Sequence, residues 1–139
     1  MLKAILIDDE PDCVRLLALQ LKEYCPQVHI VGQYTSSEEG QQAIQMLNPD
    51  VVFLDIEMPK MNGFALLEKV GDISFSLIFV TAYNEFAVKA FRFSALDYLL
   101  KPLDNHELQE AVRKVEKRQP LDMRQLTMLR SQLQDGQHP

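Results

Sequence analysis

Three carboxylates, a hydroxyl and an ammonium group follow directly on four separate apolar runs in this chain. Asp8-Asp9 follows Ala4-Ile5-Leu6-Ile7, and Asp55 follows Val51-Val52-Phe53-Leu54. Thr81 follows Leu77-Ile78-Phe79-Val80, and Lys101 follows Leu96-Asp97-Tyr98-Leu99-Leu100. Brought to one place, these groups have a definite chemistry. Two unit charges about 4 Å apart repel by roughly 4 kcal/mol at the effective dielectric of a protein surface. Three acids in one crevice therefore either keep a proton or take in a cation. An all-oxygen donor set suits a hard ion, and Mg²⁺ characteristically binds one or two carboxylates, keeps waters and bridges to phosphate oxygens. Asp55 can then act as a nucleophile toward phosphorus. Lys101 and the metal would offset charge on the transferred group, and the Thr81 hydroxyl can donate a hydrogen bond to it. Alone, Asp55 would read as a strand-ending or capping aspartate. Convergence is what changes that reading.

Convergence depends on the elements. A continuous apolar run bounded by turn residues reads as a strand buried on both faces. Ala4–Ile7, Val51–Leu54 and Leu77–Val80 are such runs. The more mixed Val28–Tyr34 and Leu96–Leu100 read as edge strands. Between them lie helical patterns: Val14, Leu17, Ala18 and Leu21 after Pro11; Ala43, Ile44 and Leu47 after a Ser36-x-x-Glu39 capping box; Leu66, Leu67 and Val70 after an Asn62 cap. Ala87, Ala90 and Phe91 follow a fourth expected cap, Asn84, and Leu108, Ala111, Val112 and Val115 follow Asp104. Strand and helix alternate five times with short connections, which predicts a parallel sheet covered on both faces. Placing the mixed strands at the edges yields the order 2-1-3-4-5, a doubly wound, flavodoxin-like (βα)5 α/β fold. Its reversal point lies between Asp8-Asp9 and Asp55, and ligands bind at the carboxyl ends of strands there.

The 139 residues suit one domain with a real core, and 47% hydrophobic with 24% charged is ordinary for a globular protein. A formal net charge of −6 argues against nucleic-acid binding through a basic surface by this segment. Cys13 and Cys25 make neither a disulfide framework nor a metal knuckle and read as reduced thiols. His29, His106 and His138 read as surface residues. Met1-Leu2-Lys3 leads into only a few apolar residues, and no run approaches the roughly 20 of a membrane span. The expectation is a cytoplasmic protein with no membrane partner. After Pro120, Leu126, Leu129 and Leu133 at near-heptad spacing suggest a weak helix. Residues 1–119 are accordingly expected to form the functional domain, and 120–139 a tail or linker toward an absent output domain.

Asp8-Asp9, Asp55, Thr81 and Lys101-Pro102, in this order and at these strand ends, resemble the receiver domain of two-component response regulators over roughly residues 3 to 118. Ala95-Leu96-Asp97-Tyr98-Leu99-Leu100-Lys101-Pro102 further resembles regulators with a LytTR-type DNA-binding output. The resemblance implies a phosphorelay switch that controls transcription and receives its phosphoryl group from a sensor histidine kinase. It implies that Asp55 is the phosphoacceptor and that Asp9 and Asp55 ligate Mg²⁺ directly. Asp8 would act mainly through water, and the backbone carbonyl of Glu57 would supply a further ligand. Lys101 would pair with the phosphoryl group ahead of a cis bond to Pro102. Thr81 and Tyr98 would form the switch pair, and Glu57 and Tyr83 would stand where phosphoryl lifetime is tuned. Phe86, Phe91, Arg92, Phe93 and Tyr98 suggest an exposed face, formed by the fourth helix, fifth strand and fifth helix, that pairs two receivers or meets an output domain; the competing reading of Phe91 and Tyr98, with equal weight, makes them simply core residues.

An alternative is a Mg²⁺-dependent phosphatase with an aspartyl nucleophile, for which Glu57 stands at the offset of a general acid. Against it, no cap domain is evident, and Asp8-Asp9 lie on another strand. A flavin-binding module of the same architecture is disfavoured because Asp8-Asp9-Glu10 would repel its phosphate.

Overall fold

The computed structural model describes residues 1–118. The expected helix around Leu126–Leu133 lies outside them. The strands are β1 (Leu2–Ile7), β2 (Val28–Tyr34), β3 (Val51–Leu54), β4 (Ser76–Thr81) and β5 (Asp97–Leu100). The helices are α1 (Pro11–Tyr24), α2 (Ser37–Leu47), α3 (Gly63–Val70), α4 (Ala87–Arg92) and α5 (Asn105–Lys117). All strand pairs are parallel and the order is β2-β1-β3-β4-β5, as the apolar patterning predicts.

The sheet separates two cores. Alternate residues of each central strand point to opposite faces, so Ile5, Ile7, Val52, Leu54, Leu77 and Phe79 pack under α2, α3 and α4. Ala4, Leu6, Val51, Phe53, Ile78 and Val80 pack under α1 and α5. Each such large side chain contributes roughly 1.5–3 kcal/mol when fully buried. Both alternating sets are apolar, which is why β1, β3 and β4 sit centrally.

Three expected caps are made. Ser36 Oγ accepts from the Glu39 amide at 3.4 Å, Asn62 Oδ1 from Ala65 at 2.9 Å and Asp104 Oδ1 from Glu107 at 3.0 Å. Two expectations fail. Asn84 does not cap α4: the helix starts at Ala87 with Phe86 at its N-cap and no side-chain acceptor. Phe86 and Phe93, which flank the helix, pack against the Phe64 ring, and that packing sets where this six-residue helix lies. Leu47 is 38% exposed, because α2 ends there and Asn48 takes a left-handed conformation that turns the chain away.

Candidate functional site

Parallel register delivers the candidate side chains to one edge. β1 and β3 are matched Ile7 to Leu54, so Asp8 and Asp55 leave neighbouring strand ends together, and the Asp55 amide donates to the Ile7 carbonyl at 2.9 Å. β3 and β4 are matched Leu54 to Phe79, which sets Thr81 at the same edge. The Lys101 amide donates to the Thr81 carbonyl at 2.8 Å, anchoring the end of β5.

There the carboxylates of Asp8, Asp9 and Asp55 offer oxygens that all lie within 4.8 Å of one another. Asp8 and Asp55 are buried, and Asp9 is partly so. Lys101 Nζ donates to Asp8 Oδ2 at 2.6 Å and to Asp55 Oδ2 at 3.3 Å. One cation thus answers three acids. Burial first, then repulsion from Asp8, pushes Asp55 up to about 6, with Lys101 only partly offsetting them. Asp9 is raised for the same reasons in the same order. Lys101 is held above its ordinary range by its bonds and proximity to Asp8 and Asp55, which outweigh its own burial.

These residues fit Mg²⁺. The donors are all oxygens, and their spacing suits an octahedron with ligands at about 2.0–2.1 Å, whose opposite corners lie about 4 Å apart. A divalent charge would also relieve the excess of acid.

Local backbone geometry holds the cluster open. Ile56 donates its amide to Asp55 Oδ1 at 2.7 Å, and Glu10 donates to Asp8 Oδ1 at 3.0 Å. Gly63 opens α3 with its amide on the Ile56 carbonyl at 2.8 Å, so close that a Cβ there would collide with the Asp55 carbonyl oxygen. Only glycine permits that approach. In the sequence Gly63 reads simply as a turn residue; the Asn62-Gly63 pair after a strand is the signal that could have raised it. Glu57 is exposed on the loop after Asp55, and the Lys101–Pro102 bond is cis.

Thr81 is wholly buried, and its Oγ1 accepts from the Tyr83 amide at 3.3 Å. Tyr98 takes the core reading. Rather than joining an exposed face, it is 2% exposed, packs on Phe79 with ring centroids 6.1 Å apart, and donates its hydroxyl to the Tyr83 carbonyl. A buried phenol needs a partner, and the backbone after β4 supplies one. Phe86, Phe91 and Phe93 are likewise partly buried against the core, while Arg92 is exposed. Thr81 and Tyr98 are therefore joined through one residue, Tyr83, whose own ring is 46% exposed.

Also unforeseen is a partly buried pair away from the cluster: Asp97 on β5 with Lys114 of α5, at 3.1 Å. Both cysteines are free thiols, as expected. Among the described residues no helix is long and apolar enough to cross a membrane.

Comparison with known proteins agrees with this geometry. The profile of the "Response regulator receiver domain" family matches residues 4–113. An uncharacterized response regulatory protein of Vibrio cholerae is 43% identical over 116 residues, covering 83% of this chain and 48% of that protein. The transcriptional regulatory protein BtsR of Escherichia coli K12 is 40% identical over 116 residues, covering 81% of this chain and 47% of BtsR. The chain thus spans about half the length of these relatives. Among solved structures, the response regulatory domain of protein mrkE from Klebsiella pneumoniae superposes with a TM-score of 0.75 at 28% identity, covering 83% of this chain and 95% of that one.

Proposed function

This chain belongs to the response regulator receiver domain family, and we propose that Asp55 is the residue on which it accepts a phosphoryl group. The observation that carries the reading is a buried, proton-hungry carboxylate 3.3 Å from a lysine ammonium, beside two further acids, at the carboxyl edge of the sheet. An Asp55 oxygen attacks phosphorus in line with the leaving group. For a sensor histidine kinase, the P–N bond to the donor imidazole breaks and an acyl phosphate forms.

Asp9 and Asp55, with the Glu57 backbone carbonyl, would hold Mg²⁺ directly, and Asp8 would hold it mainly through water. Bound there, the metal supplies electrostatic stabilisation of the phosphoryl oxygens. Lys101 keeps its hold on Asp8 while its ammonium turns to the incoming group. Ionised Asp55 is the nucleophile, so loss of its proton precedes transfer.

The aspartyl phosphate adds roughly −1.5 to −2 charge. Thr81 then exchanges its Tyr83 amide for the phosphoryl group. The Tyr83 segment, which Tyr98 holds by its carbonyl, moves with it. Such a coupled pair is a bistable element of the kind local charge changes can bias. The surface of α4, β5 and α5 is its readout, as a receiver pair or a contact with an output domain. A LytTR-type DNA-binding output beyond residue 119 is supported by the Ala95–Pro102 run, and transcriptional control fits similarity to a transcriptional regulatory protein. Residues 120–139 would then link the two. With two free thiols, the cytoplasm is the setting we assign.

The test is intact mass after exposure to acetyl phosphate with Mg²⁺. The expected result is one phosphoryl mass on the chain and none on Asp55→Asn. Labelling of Asp55→Asn to the same extent would overturn the assignment. Turnover of phosphomonoesters by the unmodified chain would favour the phosphatase reading instead.

A further inference from the structure

The two faces of the sheet are covered unequally. α2, α3 and α4 lie on one face, but only α1 and α5 lie on the other. Among the described residues, no helix occupies the third place, beside α1 over edge strand β2. A groove of about 510 Å³ opens there, between Arg15, Leu19 and Lys22 of α1 and Val28, Ile30 and Gln33 of β2.

Its chemistry is two-sided. Val28 and Ile30 make an apolar floor, and Leu19 stands 58% exposed above it. The rim is cationic, and no Asp or Glu among the described residues lines the groove, although acids outnumber bases 20 to 14 in the chain. Lys22 has no carboxylate partner among the described residues. Arg15 meets only Asp12, in an exposed pair at 3.3 Å, and such a pair competes weakly with an incoming carboxylate. None of Asp8, Asp9, Asp55, Thr81 and Lys101 lines this groove.

We propose that the groove docks an amphipathic helix of a partner protein, apolar along one stripe and acidic along its flanks, laid beside α1 as the third helix of that layer. A helix at the usual interaxial distance of about 8–10 Å would cover Leu19 and the β2 floor together. Charge selects the sign of its flanks. A strand added to β2 fits less well. Pairing passes from Ala4–Ile30 to Ile5–Gly32, and the bulge this leaves at Val31 breaks the regular edge a new strand would need. A nucleic acid has no apolar stripe to cover Leu19 and the β2 floor.

The experiment titrates fluorescein-labelled helical peptides of about 18 residues with the full chain. Both share a leucine stripe; one has glutamate flanks, the other lysine flanks. The glutamate peptide should saturate and bind at least about tenfold more tightly than the lysine peptide. Arg15→Glu with Lys22→Glu should reverse the preference, Leu19→Asp should abolish binding, and amide shifts should cluster in residues 15–33. These surface variants should melt within about 2 °C of the parent and label with acetyl phosphate at the parental rate, so a fault in the groove is separable from one at Asp55. Equal binding of the two peptides, indifference to charge reversal, or shifts elsewhere would overturn the proposal. So would equally tight binding to phosphatidylglycerol vesicles or self-association dispersed by Leu19→Asp. Cross-links from residues 119–139 into the groove that the glutamate peptide cannot displace would also overturn it, by assigning the groove to the chain's own segment.

Discussion

Among the described residues, two places set an aspartate against a lysine largely out of water, and they are balanced differently. On the outer strand, Asp97 meets Lys114 at 3.1 Å, one acid to one base. At the carboxyl edge, Lys101 serves Asp8 at 2.6 Å and Asp55 at 3.3 Å, with Asp9 alongside. Both Asp55 and Asp97 are raised in pKa, chiefly by burial. For Asp97 the next influence is its lysine, which lowers it; for Asp55 the next is a second acid, which raises it further. The first pair ties β5 to α5. The second cluster holds negative charge in excess, which disfavours the metal-free fold locally and, on the function proposed above, is what draws a cation and then a transferred group. Structural pairing neutralises; a reactive site withholds neutralisation.

Removing Lys101 should separate binding from transfer. Lys101→Met should take up phosphoryl from acetyl phosphate at least about a hundredfold more slowly, the scale of losing one charge-stabilising donor. The same variant should bind Mg²⁺ more tightly, because the acids lose their competing ammonium. A stopped-flow mass assay alongside metal titration reads both, and weaker metal binding would break the contrast.

The next effect falls on the neutral pair. Lys114→Met leaves the partly buried Asp97 without its base and should cost about 2 kcal/mol, below the range for fully buried pairs because both side chains are partly exposed. Adding Asp97→Asn should restore most of the loss. Urea melts of the parent, Lys114→Met, Asp97→Asn and the double variant decide, and full additivity would show that the two residues do not act as a pair.

The sign should invert at the cluster. In EDTA at neutral pH, Asp55→Asn should stabilise the domain by on the order of 1–2 kcal/mol, a figure reduced for solvent screening, because it deletes a charge that burial and Asp8 disfavour. The pH dependence follows with a definite sign. The folded state holds the Asp55 proton more tightly than the unfolded chain, so this group's contribution is complete below its ordinary 3.8 and is lost as pH rises through about 6. Asp55→Asn should flatten that slope. Mg²⁺ affinity of the parent should fall as pH drops through the same point, where protons and metal compete.

The smallest change is expected at the surface. Arg113 and Glu110 form an exposed i,i+3 pair on α5, and Glu110→Ala should shift stability by less than about 0.5 kcal/mol. A larger loss would mean that exposed pairs carry weight here, and the distinction between neutral and frustrated buried pairs would lose force.

Much of this was legible locally. Three caps could be read because a side-chain oxygen and the amide it accepts from are three residues apart and answer to nothing else. Strand order could be read because two-sided burial demands continuous apolar runs. Asn84 misled because α4 is short and its position is set by Phe86 and Phe93 on Phe64, contacts distant in sequence. Tyr98 stayed open for a similar reason. A tyrosine on an edge strand can face either way, and only a free carbonyl at Tyr83 and the Phe79 ring select the inward side.

The amino-acid order alone determined which residues reach the carboxyl edge, since side-chain alternation and parallel connection leave little choice once the apolar runs are placed. Tertiary structure decided how charge is shared there: that Lys101 sits closer to Asp8 than to Asp55, that Gly63 must lack a side chain, that Asp97 has its own base. Those outcomes depend on distances between strands and helices that no local pattern encodes, and electrostatic energy in a poorly screened interior changes steeply with such distances.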